Sequence, residues 1–170
     1  GDLIIGAPNS YDGAGRAYVV FGSSIQLSNP LNLSKLDGTN GFIVNGEAVD
    51  DQIGISVNNA GDINGDGIDD LIIGAPYAKH NGNYSGRSYV IFGSKSNFSS
   101  PFNLTNLNGY NGFKLDGASY DLSGFSVSRT GDINGDSIDD LIIGARGKYL
   151  STPGRCYVVF GSKTKFISPI

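Results

Sequence analysis

Two nine-residue stretches of this sequence place oxygen-bearing side chains at their first, third, fifth and ninth positions. Calcium takes about six to eight oxygen ligands, and alternate residues of a tight loop can turn toward one cation while a carbonyl at the seventh position adds another oxygen. The spacing therefore predicts two Ca2+ sites. Their candidate ligands are Asp62, Asn64, Asp66, Ile68 and Asp70 in the first loop, and Asp132, Asn134, Asp136, Ile138 and Asp140 in the second.

The residues after the two loops distinguish them from an EF-hand. An EF-hand loop begins in the same way but ends in a bidentate Glu at its twelfth position, between two helices. That position holds Ile73 or Ile143, within short apolar runs closed by Gly, which is typical of a strand. A plain polar turn is the alternative, because Asp, Asn and Gly are common turn formers. Two copies with every ligand position filled favour calcium.

The two loops differ at one position of their turn. The first loop has Gly67, which tolerates a positive φ, whereas the second has Ser137 at the same place. A side chain in that conformation carries a steric cost. We therefore expect the second loop to bind calcium more weakly than the first.

Composition and charge argue against several classes of protein. The 170 residues suffice for one domain, and a formal net charge of -4 disfavours a nucleic-acid partner. No apolar run approaches the ~20 residues that cross a bilayer, so we expect no membrane insertion by this segment. The single cysteine, Cys156, lies in an apolar run and is expected to be a buried thiol. A chain that starts with Gly1 and lacks Met is expected to be an excised piece of a longer protein.

Similar segments recur about every 70 residues. Each unit holds four short strands separated by glycine-rich turns, without a helical period. Such a unit can form one four-stranded blade of a β-propeller. The matching segments are 62–76 with 132–146 and the shorter 2–8, and 15–23 with 86–94 and 154–162.

Residues 54–76, which run from Gly-Ile-Ser-Val through the first loop to Gly-Ala-Pro, resemble the FG-GAP repeat of integrin α-chains and related surface proteins. The resemblance implies an all-β β-propeller of four-stranded blades, with calcium held by the loop residues named above, between the first and second strands of a blade. The family's Phe-Gly reads Ile53-Gly54 and Ser123-Gly124 here, and its third Gly-Ala-Pro ends in Arg146. The resemblance supports membership of the FG-GAP family, but it does not identify the chain as an integrin.

The repeats predict about two and a half blades. Residues 1–48 form a partial blade without its front strand and calcium loop, 49–118 a complete blade, and 119–170 a partial blade without its last strand. Such a piece cannot close a ring, and proteins normally cover open sheet edges. We expect further propeller blades in the same chain, or else a homo-oligomer, and we favour the former.

Residues for catalysis are sparse, and we predict that this segment is not an enzyme. His80 is the sole histidine and is expected in a solvated loop, where no Ser-His-Asp set can be assembled around it. Asp50 and Asp51 are expected in a solvated turn. A hydrolytic metal site also keeps an open coordination position, which a saturated calcium loop lacks.

Four Asn-x-Ser/Thr sequons permit glycosylation in a secreted eukaryotic protein without requiring it. The same bias toward Asn and Ser also occurs in bacterial surface proteins through nucleotide composition. The possible glycosylation sites are Asn32, Asn83, Asn97 and Asn103.

The function predicted from these features is a calcium-binding propeller segment of an extracellular or cell-surface protein, bacterial sources included. It would serve as an adhesion or ligand-binding scaffold that holds a protein or glycan ligand through loops such as 8–15 and 76–86. One alternative is an accessory propeller domain of an extracellular lyase, phospholipase or glycan-acting enzyme. Another is a carbohydrate-binding propeller.

Overall fold

A computed structural model describes residues 1–23, 30–149 and 153–169, and this part of the chain is built from short antiparallel strands. Its only helices are two single-turn 3-10 helices, Leu33–Lys35 and Leu104–Asn106. Neither of these has the length or apolar content needed to cross a membrane. The strands are β1 (Leu3–Ala7), β2 (Arg16–Val20), β3 (Gly41–Asn45), β4 (Ser56–Gly61), β5 (Asp70–Ala75), β6 (Arg87–Ile91), β7 (Gly112–Asp116), β8 (Ser123–Gly131), β9 (Asp140–Ala145) and β10 (Arg155–Val159).

These strands form three antiparallel sheets that follow one another along the chain. The middle sheet is a complete four-stranded blade in the order β4-β5-β6-β7. The first sheet, β1-β2-β3, and the last, β8-β9-β10, have three strands each. The prediction of an all-β fold made of four-stranded propeller blades is confirmed. The residue limits given above for each blade stay a prediction.

The Leu-Ile-Ile run of β5 explains why each sheet needs a neighbour. Leu71 is 8% exposed and Ile73 is fully buried, because β5 lies between other strands of its own sheet and is covered by the sheets before and after it. In β1 the same run has no strand on its outer side among the described residues, and Leu3 is 54% exposed. In β9, which has a strand on each side, Leu141 and Ile143 are also buried. The apolar run is thus buried where it has a strand on both sides.

Successive sheets approach each other backbone to backbone at paired glycines. A Cβ placed on Gly74 of β5 would lie 2.0 Å from the carbonyl oxygen of Gly124, which belongs to the next sheet. A Cβ on Gly6 would lie equally close to the Gly54 oxygen. No side chain fits at either contact, so these positions require glycine for space and not for φ.

The segment that follows the third strand of a blade reaches back to the preceding sheet. Phe98 stacks on Phe42 with ring centroids 4.5 Å apart, and the Phe102 N–H donates to the Ile43 oxygen at 2.7 Å. After β10 the chain repeats this arrangement, with Phe166 stacked on Phe113. Aromatic contacts of this kind stabilise sheet-to-sheet packing beyond the area they bury.

The expectation of a buried thiol at Cys156 is wrong, because this side chain is exposed. Ser88 holds the matching place in β6 and is fully buried. The difference arises because Gly124, at the start of β8, packs against Ser88, whereas the described residues place no further sheet against β10. An apolar run in the sequence does not reveal whether a neighbouring sheet covers it.

The glycine contact generates the first prediction. Gly74→Ala is expected to lower the free energy of unfolding by about 2–4 kcal/mol, since the new methyl group meets backbone atoms that cannot move aside. Gly144→Ala is the matched control, because a Cβ there meets only the rotatable Ser126 hydroxyl at short range. We expect it to cost less than about 1 kcal/mol in urea unfolding. Equal losses for both variants would contradict the role given to this contact.

Candidate functional site

The two predicted calcium loops occupy equivalent places in the fold. Residues 62–69 connect β4 to β5, and residues 132–139 connect β8 to β9. Each loop therefore joins the first and second strands of its sheet, which is where the family resemblance places it. The loops lie at the end of the sheets where β5 and β9 begin.

In the first loop the polar side chains turn inward and hold the backbone closed. The two carboxylate oxygens of Asp62 accept the N–H groups of Asp66 and Gly67 at 2.9 and 2.8 Å. Asn64 Oδ1 also accepts from the Asp66 N–H at 2.9 Å. Asp66 Oδ1 in turn accepts from the N–H of Ile68 at 2.9 Å. The alternation in the sequence thus produces a loop whose oxygens face its interior.

The second loop has the same bonds, and one more from Gly135, despite its different turn residue. Asp132 accepts the N–H groups of Gly135, Asp136 and Ser137 at 2.7, 3.0 and 2.7 Å. The bond from the Ser137 N–H is the main cause that lowers the pKa of Asp132. Ser137 has φ +69°, and Gly67 has φ +86° at the matching place of the first loop. Both loops therefore use the left-handed conformation that favours glycine, and the predicted difference in calcium affinity stays a prediction.

The aspartate at the ninth position of each loop also links two strands of its own sheet. Asp70 accepts the Gly93 N–H at 2.7 Å with one oxygen and the Ile63 N–H at 3.0 Å with the other. Asp140 makes the equivalent bonds in the last sheet. Asp2 also accepts a matching N–H, from Gly22 at 2.7 Å. This aspartate therefore fastens the end of the third strand to the start of the second, with or without a metal.

Burial raises the pKa of Asp70 to about 7, although the hydrogen bonds from two backbone N–H groups act to lower it. The nearby carboxylates of Asp66 and Asp62 raise it further. Ionising Asp70 thus costs more in this environment than it does for an aspartate in water. A positive ion in the loop would remove that penalty.

The donor set fits a hard cation. All candidate ligands are oxygens, three of them carboxylates, and an ionised carboxylate keeps lone pairs free after accepting one N–H bond. Within residues 1–23, 30–149 and 153–169, however, no three Asp, Glu, His or Cys side chains lie close enough together to share a metal. The loop carboxylates point toward backbone N–H groups instead. A cation would have to draw them together, so calcium ligation stays a prediction.

Asp139 belongs to this site, and sequence reasoning missed it. Its Oδ2 accepts the Asp62 N–H at 2.9 Å across the boundary between two sheets, and its Oδ1 pairs with Arg129 at 2.9 Å. The Ser162 N–H donates to the Ile63 oxygen at 2.9 Å beside it. The signal in the sequence was the doubled Asp that closes both loops. One Asp serves its own loop, while the other holds the loop of the preceding blade.

A buried charged cluster lies between the first two sheets, at their other end. Glu47 accepts the Tyr89 hydroxyl at 2.7 Å and pairs with Arg87 at 3.1 Å and Lys114 at 2.9 Å. Burial alone would raise the pKa of Glu47, but the bonds from Lys114 and Tyr89 outweigh it and lower that pKa. Arg87 is held from its other side by Asp116. The cluster satisfies its charges internally, as buried ions must.

Beside this cluster, the expectation that Asp51 lies in a solvated turn is wrong. Asp51 is 4% exposed, because Asp50 and Gln52 adopt positive φ angles of 67° and 54° that turn it inward. His80 Nε2 lies 3.7 Å from the Asp51 carboxylate and 3.8 Å from Glu47. The His80 side chain remains partly exposed, at 31%. Its neighbours are carboxylates, which suits ion pairing better than nucleophilic catalysis.

Several tyrosines lie close together on the loops that follow β5, β7 and β9. The Tyr84 ring lies 6.4 Å from that of Tyr77 and 6.5 Å from that of Tyr120, and Tyr120 lies 5.5 Å from Tyr149. Lys148 Nζ lies 4.2 Å from the centre of the Tyr84 ring. We call these four tyrosines and Lys148 the tyrosine cluster. Distant parts of the sequence supply it, so no local pattern indicated it.

All four sequon asparagines are exposed. Asn32 and Asn103 cap the two 3-10 helices through their side-chain oxygens. Glycosylation of these positions stays a prediction.

The sequence of this chain is similar to those of several known proteins. The model of the FG-GAP repeat matches residues 54–91. Integrin alpha ina-1 of Caenorhabditis elegans is 32% identical over 136 residues, covering 72% of this chain and 11% of that protein. Integrin alpha-6 of Gallus gallus is 29% identical over 147 residues, covering 85% and 12%. Phosphatidylinositol-glycan-specific phospholipase D of Bos taurus is 34% identical over 151 residues, covering 85% and 17%. The chain thus spans less than a fifth of each relative.

The turn geometry generates the second prediction. Ser137→Gly is expected to raise the free energy of unfolding by about 0.5–1 kcal/mol, since glycine adopts positive φ without steric cost. Gly67→Ser should lower it by a similar amount, because a Cβ there meets no atom within 4 Å and only the φ strain remains. Urea unfolding in chelator measures both. Two silent substitutions would contradict the strain assigned to this position.

The third prediction concerns Asp51. Burial raises its pKa above the usual value of 3.8, although the positive charge of His80 opposes the shift. The folded state therefore holds this proton more tightly than the unfolded chain, and stability falls as pH rises above the unfolded value. Asp51→Asn should thus stabilise the protein at about pH 7 and lose that advantage toward about pH 4.

Urea unfolding across this pH range checks the Asp51 prediction. Asp50→Asn is the matched control, because Asp50 is exposed and lies in the same turn. We expect its effect to vary little with pH. An Asp51→Asn advantage that grew toward acid pH would contradict the assignment.

Proposed function

This chain belongs to the FG-GAP repeat family, and from that premise we propose that it is a calcium-stabilised propeller segment of an extracellular or cell-surface protein. It serves as a scaffold for adhesion or for binding a ligand. The observation that carries the proposal is the pair of closed, oxygen-lined loops, each placed between the first two strands of a sheet. The integrin α-chains among its relatives support the same role.

Calcium would act in these loops on charge and on geometry. It would neutralise three carboxylates that repel one another, including Asp70, whose pKa burial raises. The first loop is also bonded to Asp139 of the next sheet, so ordering the loop orders the boundary between sheets. With an affinity of ~0.1 mM and extracellular calcium of ~1–2 mM, each site would add roughly 1.4–1.8 kcal/mol to stability. Cytosolic calcium is too low to fill such sites, which favours a location outside the cell.

Ligand binding is assigned to the opposite end of the sheets. The loops that follow β5, β7 and β9 lie at the far end of these strands from the calcium loops, and they carry the tyrosine cluster. Tyrosines combine apolar area with a polar tip and are enriched at binding surfaces. A protein or glycan ligand would bind there, on a scaffold whose rigidity the calcium loops maintain.

A second candidate is an accessory propeller of an extracellular enzyme. The phospholipase D relative of Bos taurus favours it, because that protein is named for an enzymatic activity and is 34% identical over 151 residues. In this case a catalytic motif would lie outside the present 170 residues. The segment itself would still bind calcium and act as a non-catalytic module.

Thermal unfolding tests the calcium proposal and supplies the fourth prediction. The melting temperature should rise with calcium and fall with chelator, and magnesium should substitute poorly because it demands a smaller octahedral site. Asp66→Ala combined with Asp136→Ala should abolish the response to calcium. These residues are chosen because their bonds stay within their own loops, whereas replacing Asp70 would also break the bonds to Ile63 and Gly93.

The control for this experiment is Asp37→Ala. Asp37 also accepts a turn N–H, from Thr39, but it lies outside both loops. We expect this variant to respond to calcium as fully as the native chain does. If calcium, chelator and the double substitution all left the melting temperature unchanged, the loops would be plain polar turns.

A further inference from the structure

The two candidate calcium loops are hydrogen-bonded to each other across the boundary between the middle and last sheets. Asp139 Oδ2 accepts the Asp62 N–H at 2.9 Å, and the Asp139 N–H donates to the Asp62 carbonyl oxygen at 3.4 Å. Gly61 leaves room for this contact, because a Cβ there would overlap the Asp139 carboxylate. Asp62 is the first candidate ligand of its loop, so the two bonds fix the position of a ligand.

Asp139 is not itself a candidate ligand, but it lies between two of them. In the second loop Ile138 would offer its carbonyl oxygen to the metal, and Asp140 its carboxylate. The Asp139 side chain is only 15% exposed, and its other oxygen pairs with Arg129 at 2.9 Å. The Asp139 carboxylate is therefore held on both sides. Its place depends on the backbone of residues 138–140, which two candidate ligands would fix.

A second connection joins the aspartates at the ninth positions of the two loops. Asp140 Oδ1 accepts the Gly161 N–H at 2.9 Å. The next residue, Ser162, donates its N–H to the Ile63 carbonyl oxygen at 2.9 Å. The Ile63 N–H in turn donates to Asp70 Oδ2 at 3.0 Å. This buried path keeps the two sheets in contact when Asp139 is replaced, so such a variant tests the coupling of the loops and not the packing of the sheets.

We propose that the two loops bind calcium cooperatively, with Asp139 as the positioning residue that couples them. This inference rests on the proposed function, because it needs calcium in both loops. Ligation by Ile138 and Asp140 fixes the backbone around Asp139, which then holds Asp62 where the first loop needs its ligand. The first loop thus loses less freedom on binding, and its affinity rises. Because coupling between two binding sites is reciprocal, a filled first loop favours binding in the second by the same factor.

A double-mutant cycle tests this coupling and supplies the fifth prediction. Asp136→Ala removes a ligand from the second loop, and the NMR signal of the Gly67 amide, which is bonded to Asp62, follows calcium binding in the first. We expect Asp136→Ala to weaken the first site by about fivefold or more. In an Asp139→Ala background the same substitution should weaken it by less than about twofold, because the bond to Asp62 is gone. Equal factors in the two backgrounds would overturn the inference.

Asp69→Ala is the matched control for Asp139→Ala. Asp69 has the place in the first loop that Asp139 has in the second, but its carboxylate accepts the Asn59 side chain of its own sheet at 2.9 Å. Its replacement removes one negative charge beside the first loop without breaking a bond between the loops. We expect the coupling factor of the native chain to persist in this variant. An equal loss of coupling in Asp69→Ala would assign the effect to charge and would overturn the role of Asp139.

Hydrogen exchange measures the same coupling without replacing Asp139. In Asp66→Ala the first loop lacks a ligand, and calcium bound in the second loop should slow exchange of the Asp62 amide by about fivefold or more. The Thr39 amide, which is bonded to Asp37 outside both loops, is the internal control and should not change. An unchanged Asp62 amide, with calcium bound in the second loop, would overturn this inference alone. Absence of calcium binding in both loops of the native chain would overturn the calcium proposal as well.

Discussion

The contact between Gly74 and Gly124 sets the spacing on which the rest of the structure depends. Only where neither residue has a side chain can two sheets come so close that one backbone touches the other. At that distance Ile72 and Ile73 of β5 are buried on opposite faces of their sheet. Phe98 and Phe166 also reach back to the preceding sheet. Gly74 is thus explained by this lack of space, whereas Gly124 also has a positive φ of 83° that favours glycine.

The first of the two candidate metal loops also connects two sheets. Asp62 is bonded to Asp139 of the next sheet, and Asp70 fastens the ends of two strands within its own sheet. The doubled Asp139-Asp140 therefore serves two blades. This coupling gives a physical route by which events in the loops could affect the order of the whole segment, including the tyrosine cluster at the other end of the strands.

The boundaries between sheets are built alike but differ in their buried charges. At the first boundary Glu47 pairs with Arg87 and Lys114 and accepts the Tyr89 hydroxyl. At the second, Asp121 pairs with Arg155 and accepts the Tyr157 hydroxyl. Buried ions contribute little net stability but are costly to leave unpaired, so such differences favour one pairing of blades over another.

The local features could be predicted from the sequence. They are the short strands, the repeat of about 70 residues, the inward-facing alternation of Asp62, Asn64 and Asp66, and the positive φ at position 137. These depend on neighbours along the chain, where side-chain chemistry and backbone sterics act directly. Which side chains are buried, and which residues they contact, depends instead on how the sheets pack. Cys156 is exposed, Asp51 is buried, and Asp139 holds a loop of the preceding blade, because sheets from distant parts of the chain either do or do not cover those positions.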